Sequence, residues 1–516
     1  MHAQSREPPS FQWAHLWQPA IVNPVNLKSY TIPLFNLWDP YARAFHLMGF
    51  FVAFLSWFAF PPLIPDAIKS DLHLSAAEVA NSNVIALTST FVIRVIVGPL
   101  VDRYGPRKVM AYLLILGAIP SGLAGTAHDA GTLYILRFFI GILGATFVPC
   151  QAWTSAFFDK NCVGTANALV GGWGNMGGGA TFAIMTSLFQ SLTSRGMTSH
   201  TAWRASFAIV PVPILLFVAG LVFLFGTDHP AGKWSERHNT PATQLALRQG
   251  YQTQYTLHHD ESATEKNILG GDSEKAIVSI TDPATDSDAS DGVVVQSTVD
   301  IAVNETLTAA VALKLLVSPL TWLPALGYLT TFGIELAIDS SMSGVLFTLF
   351  SKRRPGFTQT TAGYYTSIFG LLNIVTRPLG GYLGDVIYRY YGTRGKKVWT
   401  VICGLIMGAS LLAGGFYLQN HRTANDAQLS VLMGIFSVAA IFSEIGNGAN
   451  FSLVPHCNPF NNGFMSGLVG SFGNLGGIVF ALVFRFVPQV GKAFWIMGVL
   501  SIAINVLILP IPVPKL

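Results

Sequence analysis

The stretch RVIVGPLVDRYGPRK, Arg94 to Lys108, sets a guanidinium in the middle of an apolar run and ends that run on a cluster of charge. A second stretch, RPLGGYLGDVIYRYYGTRGKK, Arg377 to Lys397, repeats the design. Superposing them puts Arg94 on Arg377, Gly98 on Gly381, Leu100 on Leu383 and Asp102 on Asp385. A further pair recurs downstream in the same order, GGWGNMGGG at Gly171–Gly179 and GSFGNLGG at Gly470–Gly477. Two features repeated in one order make the chain a tandem of related halves.

Each half is built for a membrane. Of the 516 residues 51% are hydrophobic and 11% charged, against about 25% charged in soluble proteins. A helix needs about 20 apolar residues to cross the hydrocarbon. Twelve runs qualify, near 44–66, 77–101, 108–127, 131–157, 163–190, 202–226, 312–337, 361–386, 398–418, 428–453, 462–486 and 491–513. Residues 1–43 lack the apolar core and cleavage site of a signal peptide, so the first helix is expected to direct insertion. Between 227 and 308 the apolar pattern gives way to DSEKAIVSITDPATDSDASDG and similar acidic text, too polar to bury a core, and a disordered linker is expected. The domain plan is therefore 1–43, a six-helix bundle over 44–226, the linker 227–308, and a second bundle over 309–516.

Basic loops place the termini and linker on the cytoplasmic side by the positive-inside rule, although SKRRPG at Ser351–Gly356 would then lie outside. The net charge of +4 averages basic loops against the acidic linker and points to no nucleic acid. Cys150, Cys162, Cys403 and Cys457 have no metal-ligand spacing and read as packing residues. No metal, cofactor or enzymatic constellation stands out, and the glycine runs do not follow a strand as a dinucleotide fingerprint requires. The sequons at Asn304 and Asn450 fall in the linker and in a helix, so no glycan is expected.

Arg94 and Arg377 are ionisable groups in mid-membrane, which makes each a site hypothesis. Neither has an acid one helical turn away; Glu335 and Glu444, on other helices, are the acids that could pair with them. Two unneutralised guanidiniums facing one cavity would select a small anion, and their forked donors fit a planar oxyanion such as carboxylate, nitrate or nitrite.

The Arg, G-x-L-x-D and basic-loop element, carried by Gly98, Leu100, Asp102, Arg103, Gly105 and Arg107 with a degraded copy at Gly381, Leu383, Asp385 and Arg394, resembles the signature of the major facilitator superfamily. The resemblance implies an all-α membrane protein of twelve transmembrane helices in two pseudo-symmetric six-helix bundles, working by alternating access. The paired glycine segments, together with AFPPL at 59–63, VANSN at 79–83 and RFFIGILGATFVPCQ at 137–151, resemble the nitrate/nitrite porter family, most closely fungal high-affinity nitrate transporters. That resemblance implies arginines that clamp the anion, with Phe147, Tyr328, Phe332, Asn175 and Asn474 around it.

Small residues let helices approach closely. The glycines Gly172, Gly174, Gly177, Gly178, Gly473, Gly476 and Gly477 are expected to form a helix seam, with Gly174, Gly177, Gly473 and Gly476 serving the moving contact between bundles. Asp102, Arg103, Arg107 and Asp385 are expected to gate the cytoplasmic face, the aspartates binding Arg103, Arg107 or helix termini across the bundles. Carrying a monovalent anion into a negative interior costs about 2.3 kcal/mol per 100 mV. One proton only cancels the charge and a potential-driven importer needs about two, with Glu335 and Glu444 the candidate proton sites. The expected function is import of nitrate, and nitrite, at the plasma membrane by proton symport. The alternatives are nitrate/nitrite exchange, carriage of a short carboxylate, or a nitrate receptor signalling through linker serines Ser273, Ser287 and Ser290 as kinase targets.

Overall fold

The computed structural model describes residues 3–4, 9–23, 27–46, 49–159, 161–230, 232–236, 252–254, 279–281, 308–421, 428–457 and 462–513. The expected linker lies outside the described residues except for its first turns and two short strands, Gln252–Gln254 and Ser279–Thr281, paired antiparallel. Ser273, Ser287, Ser290 and Asn304 also lie outside them.

The described chain is helical. Its spans are α1 (Gly49–Trp57), α2 (Ala76–Tyr104), α3 (Pro106–Thr126), α4 (Ala130–Phe157), α5 (Val163–Ser194), α6 (Ser199–Phe225) and α7 (Pro319–Phe350). They continue with α8 (359–391) and α9 (393–420), α10 (Leu429–Cys457), α11 (Asn462–Phe486) and α12 (Val490–Ile508). Nine described helices are long and apolar enough to cross a membrane by length and composition. One of them, Gln359–Asn420, is 62 residues long and holds two spans, broken at Gly392, whose φ of 62° ends α8. Outward-facing Ile119, Phe217, Leu224, Val375 and Leu507 are all more than half exposed, an apolar coat suited to lipid and not to water.

Local chemistry sets the boundaries. Ser75 and Glu78 form a reciprocal capping box that starts α2, and Gly105, at φ 90°, ends it before Pro106 starts α3. The first expected span, 44–66, is broken: after α1 the chain turns through Pro61 and Pro62, which cannot donate to a helix, into a π-helical turn at Ile64–Ile68. The seventh also differs from expectation. Ala309–Val317 is a separate short helix, and α7 runs on to Phe350, taking Asp339 and the following serines into the membrane-spanning helix.

The halves meet through α5 on α8 and α11 on α2. The N-terminal segment is ordered against the first half: Ser29 donates its N–H to Phe157 O and accepts from Asp159 N, both at 2.9 Å. These contacts mark one face of the bundle, the terminal face, which also carries Thr227; the other is called the opposite face.

Candidate functional site

Arg94 enters the centre from α2 because α4 is deformed to meet it. Over Gly141–Thr146 α4 winds as a 3-10 helix, and its glycines let α2 approach until a Cβ on Gly144 would lie 2.5 Å from Thr90. The tighter winding presents the Gly144 carbonyl, which accepts from Arg94 Nε at 2.8 Å. Arg94 Nη1 donates across the halves to Gly470 O at 2.7 Å. Its Nη2 is buried without a partner, and no carboxylate pairs with it among the described residues.

Arg377 enters from α8. Nη2 donates to the Tyr328 hydroxyl at 2.8 Å, Nη1 lies 3.9 Å from Glu335 Oε2, and Nε and Nη1 make no hydrogen bond. Glu335 also accepts from Asn175 (2.9 Å), Asn373 (3.0 Å) and Asn447 (2.5 Å). The expectation of two unneutralised guanidiniums is thus corrected to one: Arg377 faces a carboxylate fixed by three amides, and Arg94 does not.

Between the arginines lie stacked rings. Tyr328 and Phe332, four residues apart on α7, stack at 4.7 Å with a 7° interplanar angle, and Phe147 lies parallel to them at 5.9 and 6.3 Å. Arg94 Cζ lies 4.8 Å from the Phe147 centroid and 5.4 Å from that of Phe332, where ring faces attract cations. Arg377 Cζ lies 5.8 Å from Phe332. Both arginines and all three rings are fully buried.

The two asparagines of the glycine motif are not equivalent. Asn175 reaches Glu335, whereas Asn474 donates to Gly470 O at 3.0 Å, the carbonyl that also holds Arg94. Phe451, Asn373, Asn447, Thr376 and Asp339 belong to this centre and are absent from the sequence-derived set. Spacing held the signal for two of them: Asn373 precedes Arg377 by one turn, and Asn447 precedes Phe451 by one turn. Phe451 stands edge-on to Phe147 at 4.8 Å and to Tyr328 at 4.9 Å.

The aspartates of the repeat both cross the halves on the terminal face. Asp102 accepts from the N–H groups of Gly463 (3.2 Å) and Phe464 (3.0 Å) in the first turn of α11. Asp385 accepts from Thr165 N (2.7 Å) and Oγ1 (2.8 Å) in the first turn of α5, and from buried Lys396 at 3.0 Å. Both carboxylates sit at the positive end of a helix dipole. Arg103 lies over the Tyr104 ring at 5.2 Å. Arg107 binds Asp228 and Gly226 O, tying the start of α3 to the end of α6. Burial pushes the Asp228 carboxyl up from its ordinary range while Arg107 pulls it down.

The glycine seam is corrected in its direction. Gly174 and Gly177 face Phe50 and Phe51 O of α1, and Gly473 and Gly476 face Tyr328 and Leu329 O of α7, each within its own half. Gly178 likewise faces Phe58, and Gly477 touches Leu336 of its own half and Leu87 of the other. Glycines that meet the facing half include Gly171 against Arg377, Gly172 against Asn373 O, Gly179 against Gly370, Gly467 against Arg94 O and Gly470 against Phe147.

Comparison with known proteins agrees with this architecture. A family model described as Major Facilitator Superfamily matches residues 47–481. The chain is 30% identical over 497 residues, 95% of its length and 83% of the relative's, to "High affinity nitrate transporter 2.5" of Arabidopsis thaliana. It is 29% identical over 512 residues, 96% of its length and 97% of the relative's, to "Elsinochrome transporter 1" of Elsinoe fawcettii. A solved structure of the proton:xylose symporter XylE superposes with a TM-score of 0.60 at 14% identity, over 92% of this chain and 96% of that one. These relatives are transporters and not enzymes. On the family model and the first relative, the chain belongs to the Major Facilitator Superfamily, in the family of the nitrate transporters.

Proposed function

We propose that the protein imports nitrate, and nitrite, across the plasma membrane by proton symport, with both termini and the linker cytoplasmic. The observation that carries the reading is Arg94: a fully buried guanidinium with an unpartnered donor, aromatic faces beside it, and no carboxylate paired with it among the described residues. A planar anion of one charge neutralises it, accepts the free N–H, and lies flat against the rings. Arg377 supplies the second donor edge through Nε and Nη1, neither of which is hydrogen-bonded, although Nη1 also faces Glu335 at 3.9 Å.

Alternating access requires the halves to separate on one face at a time. On the terminal face the Asp102 and Asp385 contacts must break. On the opposite face the cross-half bonds among the described residues include Asp66 N and Ala67 N to Gln359 Oε1 (2.6 and 3.2 Å), Asn83 Nδ2 to Ser340 O (3.3 Å), Ser187 Oγ with the Tyr364 hydroxyl (2.8 Å) and Arg485 Nε to Asn81 Oδ1 (3.3 Å). Entry of the anion lets Arg94 come into the closed centre neutralised, so substrate favours closure by its higher affinity for that state.

The test is uptake into proteoliposomes with the pH gradient and membrane potential imposed separately, using nitrate, nitrite, chlorate and acetate as competitors. Accumulation of nitrate driven by an acid-outside gradient, blocked by nitrite and chlorate and not by acetate, is the expected result. Accumulation indifferent to both gradients refutes symport and leaves exchange. The relative named for elsinochrome favours a second reading, carriage of an organic molecule; the absence of nitrate uptake would decide for it.

A further inference from the structure

Three carboxyls, Glu335, Asp339 and Glu444, line one small cavity of about 10 Å³ among α7, α8 and α10, room for one water at most. Glu335 and Asp339 stand four residues apart on one face of α7, so ionising both would set like charges side by side in hydrocarbon.

Hydrogen bonds sort the three. Glu335 receives three amide donors and faces Arg377, a surrounding that suits an ionised carboxylate. Thr376 carries one hydroxyl proton and two neighbours: Leu372 O at 2.9 Å, its helical back-bond, and Glu444 Oε2. Glu444 thus accepts only one hydroxyl proton, shared with a backbone carbonyl, and has no ion-pair partner among the described residues, too little to hold an ionised carboxylate out of water, so its neutral acid is favoured. Asp339 is 6% exposed, lines the cavity, and has no hydrogen-bond or ion-pair partner among the described residues. An unpartnered buried carboxylate is costly and its neutral acid far less so.

Position adds a second observation. The next residues, Ser340 and Ser341, line a crevice of about 270 Å³ between the halves on the opposite face, together with Asn83 and Lys69. Asp339 therefore stands where that crevice meets the enclosed centre. The charged groups around it are Glu335 on its own helix, Glu444 on α10 and, behind Glu335, Arg377 on α8; from α5, Gly178 comes near, where a Cβ would lie 3.9 Å from Asp339 Oδ2.

We propose that Asp339 is the residue that carries the coupled proton, loading it from the opposite-face crevice, while Glu335 stays ionised as the counter-ion of Arg377 and Glu444 stays neutral. Loaded, the centre holds Arg377 with Glu335, Arg94 with the anion, and a neutral Asp339. Empty, the Asp339 carboxylate balances Arg94. Both closed states are then neutral, whereas anion without proton, or proton without anion, leaves a net charge. This proposal rests on the symport reading above.

The test compares two readouts on the full-length protein in proteoliposomes. One is nitrate accumulation under a one-unit pH gradient, which supports roughly tenfold accumulation at one proton per anion. The other is nitrate exchange at equal pH, which needs binding and movement but no net proton transfer. Asp339→Asn is expected to lose accumulation and keep exchange; Glu335→Gln is expected to lose both. Wild-type accumulation in Asp339→Asn overturns the proposal. Should Asp339→Asn lose exchange as well, Asp339→Glu must restore gradient-driven accumulation, and its failure overturns the proposal equally. A wild-type protein whose accumulation ignores the pH gradient refutes symport itself, before any variant is measured.

Discussion

Arg94 donates to the main-chain carbonyl of Gly470, 2.7 Å away in the facing half, so the group proposed to receive the anion is also a bolt between the two bundles. Lysine keeps the charge and loses the fork. Each lost charge-assisted hydrogen bond costs about 1.5–3 kcal/mol, so Arg94→Lys should cut nitrate uptake by roughly ten- to a hundredfold. Arg377→Lys should cut it less, because the Glu335 it faces keeps three amide donors. Initial uptake rates of the two variants check this, and equal losses would contradict the unequal neutralisation of the arginines.

The two terminal-face latches should differ in strength. Asp102→Asn removes a carboxylate from a helix N-terminus, worth about 0.3–2 kcal/mol. Asp385→Asn also strands Lys396, which is fully buried, and breaking such a pair costs about 3–5 kcal/mol. Thermal unfolding in detergent should show the larger drop for Asp385→Asn, with partial recovery on adding Lys396→Met.

Alanine at the motif glycines should act on packing within a half. A Cβ at Gly476 would lie 1.9 Å from Leu329 O and one at Gly177 2.1 Å from Phe51 O, so each substitution should destabilise by about 1–3 kcal/mol. Gly344, with nothing within 4 Å, is the control, and its alanine variant should gain up to about 1 kcal/mol. Melting temperatures of the three variants decide the matter.

Low pH should loosen the opposite face. Asp71 accepts from His200, Trp203 and Arg204; burial pushes its carboxyl up, but these bonds and the Arg204 charge outweigh it and hold it at about 2 against an ordinary 3.8. The depressed value in the folded state means this stabilisation is complete above about pH 4 and is lost as pH falls through about 2. Asp71→Asn should flatten that acid limb in a pH series of unfolding temperatures, and an unchanged limb would count against the cluster.

Much of this was legible in the residues. The repeat gave the halves, the facing arginines and the cross-half aspartates, because charge in hydrocarbon is too costly to be incidental. Facing directions were not legible. A helix with glycine at 171, 172, 174, 177, 178 and 179 is smooth all round, so spacing does not say which side meets α1 and which meets α8. Asp339 was missed for a related reason. Ending the seventh span at 337, before the charge, put it in a loop, whereas α7 continues because that acid faces a cavity and not lipid. Glu335 and Glu444 were both legible as acids within reach of Arg377, but the choice of Glu335, and the three amides that fix it, depend on how α5, α7, α8 and α10 pack, which periodicity along one helix does not report.

Ser29, held between Phe157 and Asp159, makes the N-terminal segment a splint across the joint of α4 and α5. Asp385 grips the first turn of α5 just beyond that joint. In the proposed alternating access, α5 would have to leave Asp385 as one piece with its splint, so the doorway would be hinged by chain that lies outside the sequence repeat. Such a motion would be lopsided even where the repeat is symmetric, with the first half swinging as a stiffened leaf.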